Sequence, residues 1–115
     1  MPTARGYVRV STEEQAVNGV SIDAQKEILQ AYAVVKGYTD FKIYTDEGFS
    51  GKNLNRPDVQ RLLEECRSGK VEAVIVWRLD RLSRSLRDTL ETIEDIFMPA
   101  GVSLISVTEN IDTST

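Results

Sequence analysis

The chain has 115 residues, 41% of them hydrophobic, which suits one domain with one core and is too apolar for a disordered polymer. No apolar run approaches the roughly 20 residues of a membrane span, and the N-terminal MPTARGYVRV lacks the apolar core of a signal peptide. One cysteine excludes an internal disulfide and fits a reducing compartment, and the absence of histidine excludes a Ser-His-Asp triad and a histidine-rich zinc site. A net charge of −4 argues against sequence-independent attachment to nucleic acid, and neither a GxxxxGK(S/T) loop nor a GxGxxG turn is present.

The first element is a strand over about Gly6 to Val10. Val8 and Val10 point to one face, and Tyr7, Arg9 and Ser11 to the other. Ser11…Glu14 and Thr12…Gln15 both have capping-box spacing, and a short loop around AVNGV follows. Ser21 starts a helix with an apolar stripe at Ile28, Tyr32 and Val35, and Gly37 stops it. Phe41 to Thr45 reads as strand two, and DEGFSGKNLNRP as a polar, mobile loop. Pro57 opens a second helix whose Val59, Leu62, Leu63 and Cys66 face the core, with Gly69 as its end.

Val71 to Trp77 is almost uniformly apolar, the pattern of a strand covered on both faces. After RLDRLSRS, a helix is expected to turn Leu86, Leu90, Ile93 and Phe97 inward and to end at Pro99 and Gly101. Val102 to Val107 is a fourth strand. The closing DTST is a helix-start signal with no helix after it, so a further element is expected beyond it. Four strands alternating with three helices predict a three-layer α/β fold, a mostly parallel sheet with helices on both faces.

Sites in such sheets form beyond the carboxyl ends of the strands. Ser11 and Gln15 follow strand one, and Asp46 follows strand two. Arg78, Asp80, Arg81 and Arg84 follow strand three, and Thr108 and Glu109 follow strand four. Residues 78–87 hold four arginines and one aspartate, a local charge of +3 in an acidic chain. Each residue has a plain structural role available. An arginine run is commonly a solvated helix face, a serine ahead of a helix is commonly its cap, and Arg9 fits an exposed strand position. Together, however, Arg9, Arg81 and Arg84 beside Ser11 would repel one another without an anion between them, and guanidinium grips phosphate in bidentate fashion. Attack by a serine on a phosphodiester builds charge that fixed arginines stabilise, and the resulting phosphoserine stores the bond for rejoining. The proton acceptor stays open between Asp46, Asp80 and the substrate phosphate, and Asp80 could instead orient an arginine.

YVRVSTEEQ, SIDAQ, YTDEGFSG, NRP and VWRLDRLSRS, in that order, resemble the catalytic domain of the serine recombinases, the resolvase/invertase family. The likeness runs from Tyr7 to Asp112, and Y-x-R-x-S together with L-D-R-L-x-R is highly specific. SIDAQ, NRPDVQRLL and VWRLDRLSRS look more like the large serine recombinases, the phage integrases and transposon recombinases. The resemblance implies a resolvase-like fold and site-specific recombination through a 5′-phosphoserine intermediate, without metal, ATP or another cofactor. It implies double-stranded DNA attachment sites as substrate, a dimer or tetramer of the whole protein, a bacterial or phage-encoded cytoplasmic setting and no membrane. By motif, Ser11 is the nucleophile, with Arg9, Arg81, Arg84 and Asp80 as its catalytic partners. Tyr7, Gln15, Gln25, Asp46 and Arg56 are supporting or phosphate-binding residues.

The family continues into a long oligomerisation helix and DNA-binding domains. The 115 residues are therefore expected to be an N-terminal catalytic domain that folds but does not recombine DNA by itself. Two other readings stand beside this one. Asp46, Asp80 and Glu109 could hold Mg²⁺ in a nuclease or phosphatase, or the domain could serve assembly alone. Cys66 and Trp77 are expected in the core, and Arg78 and Arg87 at the surface or on the DNA backbone.

Overall fold

The alternation in TARGYVRV forms β1 (Thr3–Val10), which starts three residues earlier than the sequence reading placed it. The computed structural model describes residues 3–10, 22–47, 57–82 and 86–113; for Val10, Ile22, Glu47, Asp80 and Leu86 the description covers the backbone alone. After β1 come α1 (Ile22–Lys36), β2 (Asp40–Glu47), α2 (Pro57–Arg67), β3 (Ala73–Val76) and a single helical turn, α3 (Leu79–Leu82). Helix α4 (Leu86–Thr92) continues through a π-helical turn, Ile93–Phe97, into a last turn at Met98–Ala100. Strand β4 (Ser103–Ser106) and a two-residue β5 (Ile111–Asp112) complete the chain.

The sheet order is β2-β1-β3-β4-β5, with the first four strands parallel and β5 antiparallel to β4. Ala4 and Val8 of β1 pack with Leu29 and Ala33 of α1 on one face. Tyr7 packs with Val59, Leu62, Leu63 and Cys66 of α2 and with Phe97 on the other. This is the three-layer, mostly parallel α/β fold expected. Gly6 admits the close approach of α1, because a Cβ there would sit 2.8 Å from the Phe41 ring and 3.2 Å from Leu29.

Helix α2 buries the stripe expected of it, Val59, Leu62, Leu63 and Cys66, and burial pushes the Cys66 thiol up to about 12, so it stays protonated. The other two helices depart from expectation. In α1 the buried row is Gln25, Leu29 and Ala33, an i, i+4, i+8 series, and Val35 points outward at 83% exposure. In α4 Leu90 is 48% exposed, while Thr89, Thr92 and Phe97 are buried. The π-helical turn inserts one extra residue into the repeat, so the buried series steps from Thr92 to Phe97; of the expected line, Phe97 is buried and Ile93 packs against the core, and Leu90 alone of the three faces out. Gly101 closes this helix in the left-handed region at φ 72°, as expected, whereas Pro99 sits inside the last turn.

The chain end also differs. Asp112, the first residue of DTST, belongs to β5, and Leu104 and Thr113 exchange two hydrogen bonds: Thr113 N–H donates to the Leu104 carbonyl at 3.0 Å and Thr113 Oγ1 accepts from Leu104 N–H at 2.8 Å; Ser114 and Thr115 lie outside the described residues. Thus there is a fifth strand, short and antiparallel. The expected caps at Ser11, Thr12 and Ser21 and the loop from Phe49 to Arg56 lie outside the described residues.

Arg5 is nearly buried on the same face of β1 as Tyr7 and Arg9. It donates from Nε and Nη2 to the two Glu65 oxygens at 2.8 and 3.0 Å, and from Nη1 to Asp40 Oδ1 at 3.2 Å. Tyr44 Oη also donates to Glu65, at 2.9 Å. These bonds tie β1, β2 and α2 together at the amino edge of the sheet. Hydrogen bonding from Arg5, opposed in part by burial, holds Glu65 below its ordinary 4.5. A depressed carboxyl contributes stability above the unfolded-state value and loses it as pH falls through the folded value. The melting temperature should therefore drop as the pH is lowered below about 4.5, and Glu65→Gln should flatten that part of the profile. An unchanged slope in the variant would locate the acid sensitivity elsewhere.

Candidate active site at the carboxyl edge of the sheet

The crossover from β1 to β2 passes through α1 on one face, and the crossover from β2 to β3 passes through α2 on the other. The winding direction therefore reverses between β1 and β3. At such a switch point the loops diverge beyond the carboxyl ends and leave a crevice for a ligand. Helices α1 and α2 run back along the sheet, so both begin at this edge.

Of the residues singled out in the sequence, Tyr7, Arg9, Gln25, Asp46 and Arg81 have described side chains, and the fold brings all five to this edge. Arg9 is 0% exposed, Asp46 1% and Arg81 6%. Register sets Arg9 of β1 opposite Asp46 of β2. Asp46 lies within β2 and not after it, because the strand runs two residues past the expected end. Gln25 is buried in the first turn of α1, on the opposite face from Tyr7. Ser11, Gln15, Arg56 and Arg84, and the side chain of Asp80, lie outside the described residues.

Two linkages organise the edge. Arg81 reaches across the switch point, its Nη1 donating to the Arg9 carbonyl at 3.2 Å. Its guanidinium lies 5.5 Å from the Trp77 ring centroid, and that of Arg78 lies 5.7 Å from it. Asp46 forms the second linkage. Tyr7 Oη donates to Asp46 Oδ2 at 2.7 Å, and the N–H groups of Asp58 and Val59 donate to Oδ1 and Oδ2, each at 3.0 Å. One buried carboxylate thus caps the start of α2 and orients the Tyr7 phenol. Asp58 returns the arrangement by accepting from Thr45 N–H at 3.0 Å.

The carboxylate after β4, a candidate Mg²⁺ ligand in the alternative reading, is engaged too. Glu109 Oε1 accepts from Leu79 N–H and from Ser106 Oγ, both at 2.7 Å, and these bonds hold it below the usual carboxylate range. Asp46 belongs to β2 and Glu109 follows β4, three strand spacings away, or about 14 Å across the sheet. The two cannot share one ion, and among the described residues no group of three or more Asp, Glu, Cys or His side chains gathers to hold one.

Sequence reasoning missed the roles of two residues here. Trp77, read as core, does pack half-buried against the cluster of Ala4, Val8 and Leu29, and its further role as the platform beside Arg81 was not read. Glu109, read as a ligand, anchors α3. At the opposite, amino edge, Arg5 was also passed over, although Arg5, Tyr7 and Arg9 follow the period-two pattern of one strand face.

The family model for the resolvase N-terminal domain matches residues 4–115. The chain belongs to the resolvase family. A DNA-invertase of Escherichia phage P1 is 36% identical over 110 residues, 96% of this chain and 51% of the invertase. The Tn552 resolvase of Staphylococcus aureus is 37% identical over 106 residues, 92% of this chain and 46% of the resolvase. The chain thus spans about half the length of these relatives. The crystal structure of the N-terminal catalytic domain of TP901-1 integrase superposes with a TM-score of 0.90 at 45% identity, over 98% of this chain and 83% of that one. Among the described residues, no helix of this resolvase-family domain is long and apolar enough to cross a membrane.

Proposed function

We propose that the chain is the catalytic domain of a site-specific recombinase that cuts and rejoins double-stranded DNA through Ser11. The observation that carries this reading is the reach of the buried Arg81 guanidinium to the backbone carbonyl of the buried Arg9 at the β1/β3 switch point of a resolvase-family fold. In the sequence Ser11 directly follows Val10, the last residue of β1.

In the proposed step, Ser11 Oγ attacks the scissile phosphorus. The Oγ–P bond forms, the bond from phosphorus to the 3′ oxygen breaks, and the proton given up by the serine to an acceptor is balanced by one delivered to the 3′ oxygen, which leaves as a hydroxyl. Arg9, Arg81 and Arg84 stabilise the charge that gathers on the non-bridging oxygens. Rejoining is the reverse, with a 3′ hydroxyl attacking the phosphoserine. Arg9 is closed to water and Arg81 nearly so. The phosphate therefore reaches them only once the edge opens, which couples chemistry to DNA engagement.

Asp46 already accepts three hydrogen bonds, so its role in this reading is to position Tyr7 and α2 and not to take the serine proton. Asp80 orients the neighbouring arginines, Gln15, Gln25 and Arg56 support the phosphate path, and strand exchange takes place in a tetramer of the whole protein. The large serine recombinases of phages are the sub-family favoured, by the likeness to TP901-1 integrase.

The test is cleavage by the full-length protein, on DNA carrying its attachment sites, in excess EDTA. Protein-linked DNA after a denaturing quench is the expected result. Cleavage that needs added Mg²⁺ and leaves no linked protein would favour the nuclease reading instead.

A further inference from the structure

Helix α3, which carries Arg81, is described over Leu79–Leu82, and its first N–H groups, like those of any helix, need acceptors from elsewhere. Glu109 supplies one. Its Oε1 accepts the Leu79 N–H and, at the same 2.7 Å, the hydroxyl of Ser106. Ser106 is buried in β4 and paired in register with Val76 of β3, so the carboxylate is fixed against the rigid centre of the sheet.

The residues around Glu109 are tied to the same strand exit. Thr108 Oγ1 and Thr108 N–H both donate to the Trp77 carbonyl, at 2.7 and 3.1 Å, and Val107 N–H donates to Val76 at 3.0 Å. Strand β5 folds back on β4 and closes the turn, with Asn110 at φ 54°. A continuous path therefore leads from β4 through Glu109 to Leu79, along α3 to Arg81, and from Arg81 both to the Trp77 ring and to the Arg9 carbonyl.

We propose that Glu109 is a positioning residue for recombination: its carboxylate pins α3, and through α3 it sets Arg81 on the Trp77 face at the switch point. Trp77 is the second part of this clamp. The inference rests on the recombinase reading for its consequence in catalysis, although the clamp itself does not depend on that reading. Displacing a transition-state group by about 1 Å can cost on the order of 100-fold in rate, so a pin of this kind matters even though Glu109 meets no substrate.

The experiment compares Glu109→Ala with Glu109→Gln, which keeps an acceptor oxygen for Leu79 N–H. In the full-length protein, Glu109→Ala should slow formation of the serine–DNA link by about 100-fold with unchanged DNA affinity. Glu109→Gln should recover most of that rate. In the 115-residue chain Trp77 is the sole tryptophan, and its emission should shift in Glu109→Ala and stay in place in Glu109→Gln. An unaltered rate in Glu109→Ala, a glutamine variant as slow as the alanine variant, or a rate that falls only in step with DNA affinity would overturn the proposal. If the unsubstituted protein forms no link at all, the recombinase reading fails, and the Trp77 emission alone decides the clamp: a shift confined to the alanine variant supports it, and identical spectra refute it.

Discussion

Arg9→Ala should slow covalent cleavage of DNA by about 10³-fold or more, while DNA affinity changes far less. The magnitude follows from what one fixed guanidinium contributes when charge develops on a transferring phosphoryl group. Arg9 is fully buried, and its carbonyl also receives Arg81 across the switch point, so its position sets that of a second arginine. Lysine should not rescue it. An ammonium is a point donor and cannot span two phosphate oxygens, and Arg9→Lys is expected to stay at least about 100-fold slow. Time courses of protein–DNA link formation, beside thermal melts of both variants, separate lost chemistry from lost folding. A folded Arg9→Ala protein that cleaves within about tenfold of the unsubstituted rate would remove Arg9 from the chemistry.

The second large effect belongs to Asp46, and it should appear in stability first. Alanine there would strand the Tyr7 hydroxyl and the N–H groups of Asp58 and Val59 in a buried region. Removing one partner from a buried, charged hydrogen-bond set costs about 3 kcal/mol or more. For a domain of this size that lowers the melting temperature by roughly 15 °C. Asp46→Asn, which keeps an acceptor for α2, should lose less, and Tyr7→Phe, which removes one bond, about 1 kcal/mol. Thermal denaturation of the three variants at neutral pH checks the order. Equal losses for all three would show that the hydrogen bonds to α2 carry no weight of their own.

What could be read from the chain depended on how each residue meets its neighbours. Helix α2 was legible because its core side is made of large apolar residues at regular spacing. Helix α1 was misread because its buried row includes Gln25 and Ala33, while Val34 and Val35, apolar by type, face water. The π-helical turn is invisible to a 3.6-residue template, so the rows before and after it belong to different phases. Strand β5, two residues long, leaves almost no periodic signal.

At the edge, the shared face of Tyr7 and Arg9 followed from alternation alone. The pairing of Tyr7 with Asp46, and the reach of Arg81 to Arg9, depend on strand order and register, which connect positions 39 and 72 residues apart. Local pattern carries no information about those separations. The same holds for the bond from Leu79 N–H to Glu109, 30 residues apart, whereas the other partner, Ser106, is local. In each case the residue type pointed to this edge, and the fold supplied its partners.

The central claim is that Ser11 carries the DNA. The most direct measurement uses full-length protein on attachment-site DNA in EDTA, quenched with detergent, digested with protease and nuclease, and analysed by mass spectrometry. The account requires a nucleotide 5′-phosphate on the peptide containing Ser11, and its loss in Ser11→Ala. Cleaved DNA with no phosphorylated Ser11 peptide, or an adduct that persists in Ser11→Ala, would contradict it.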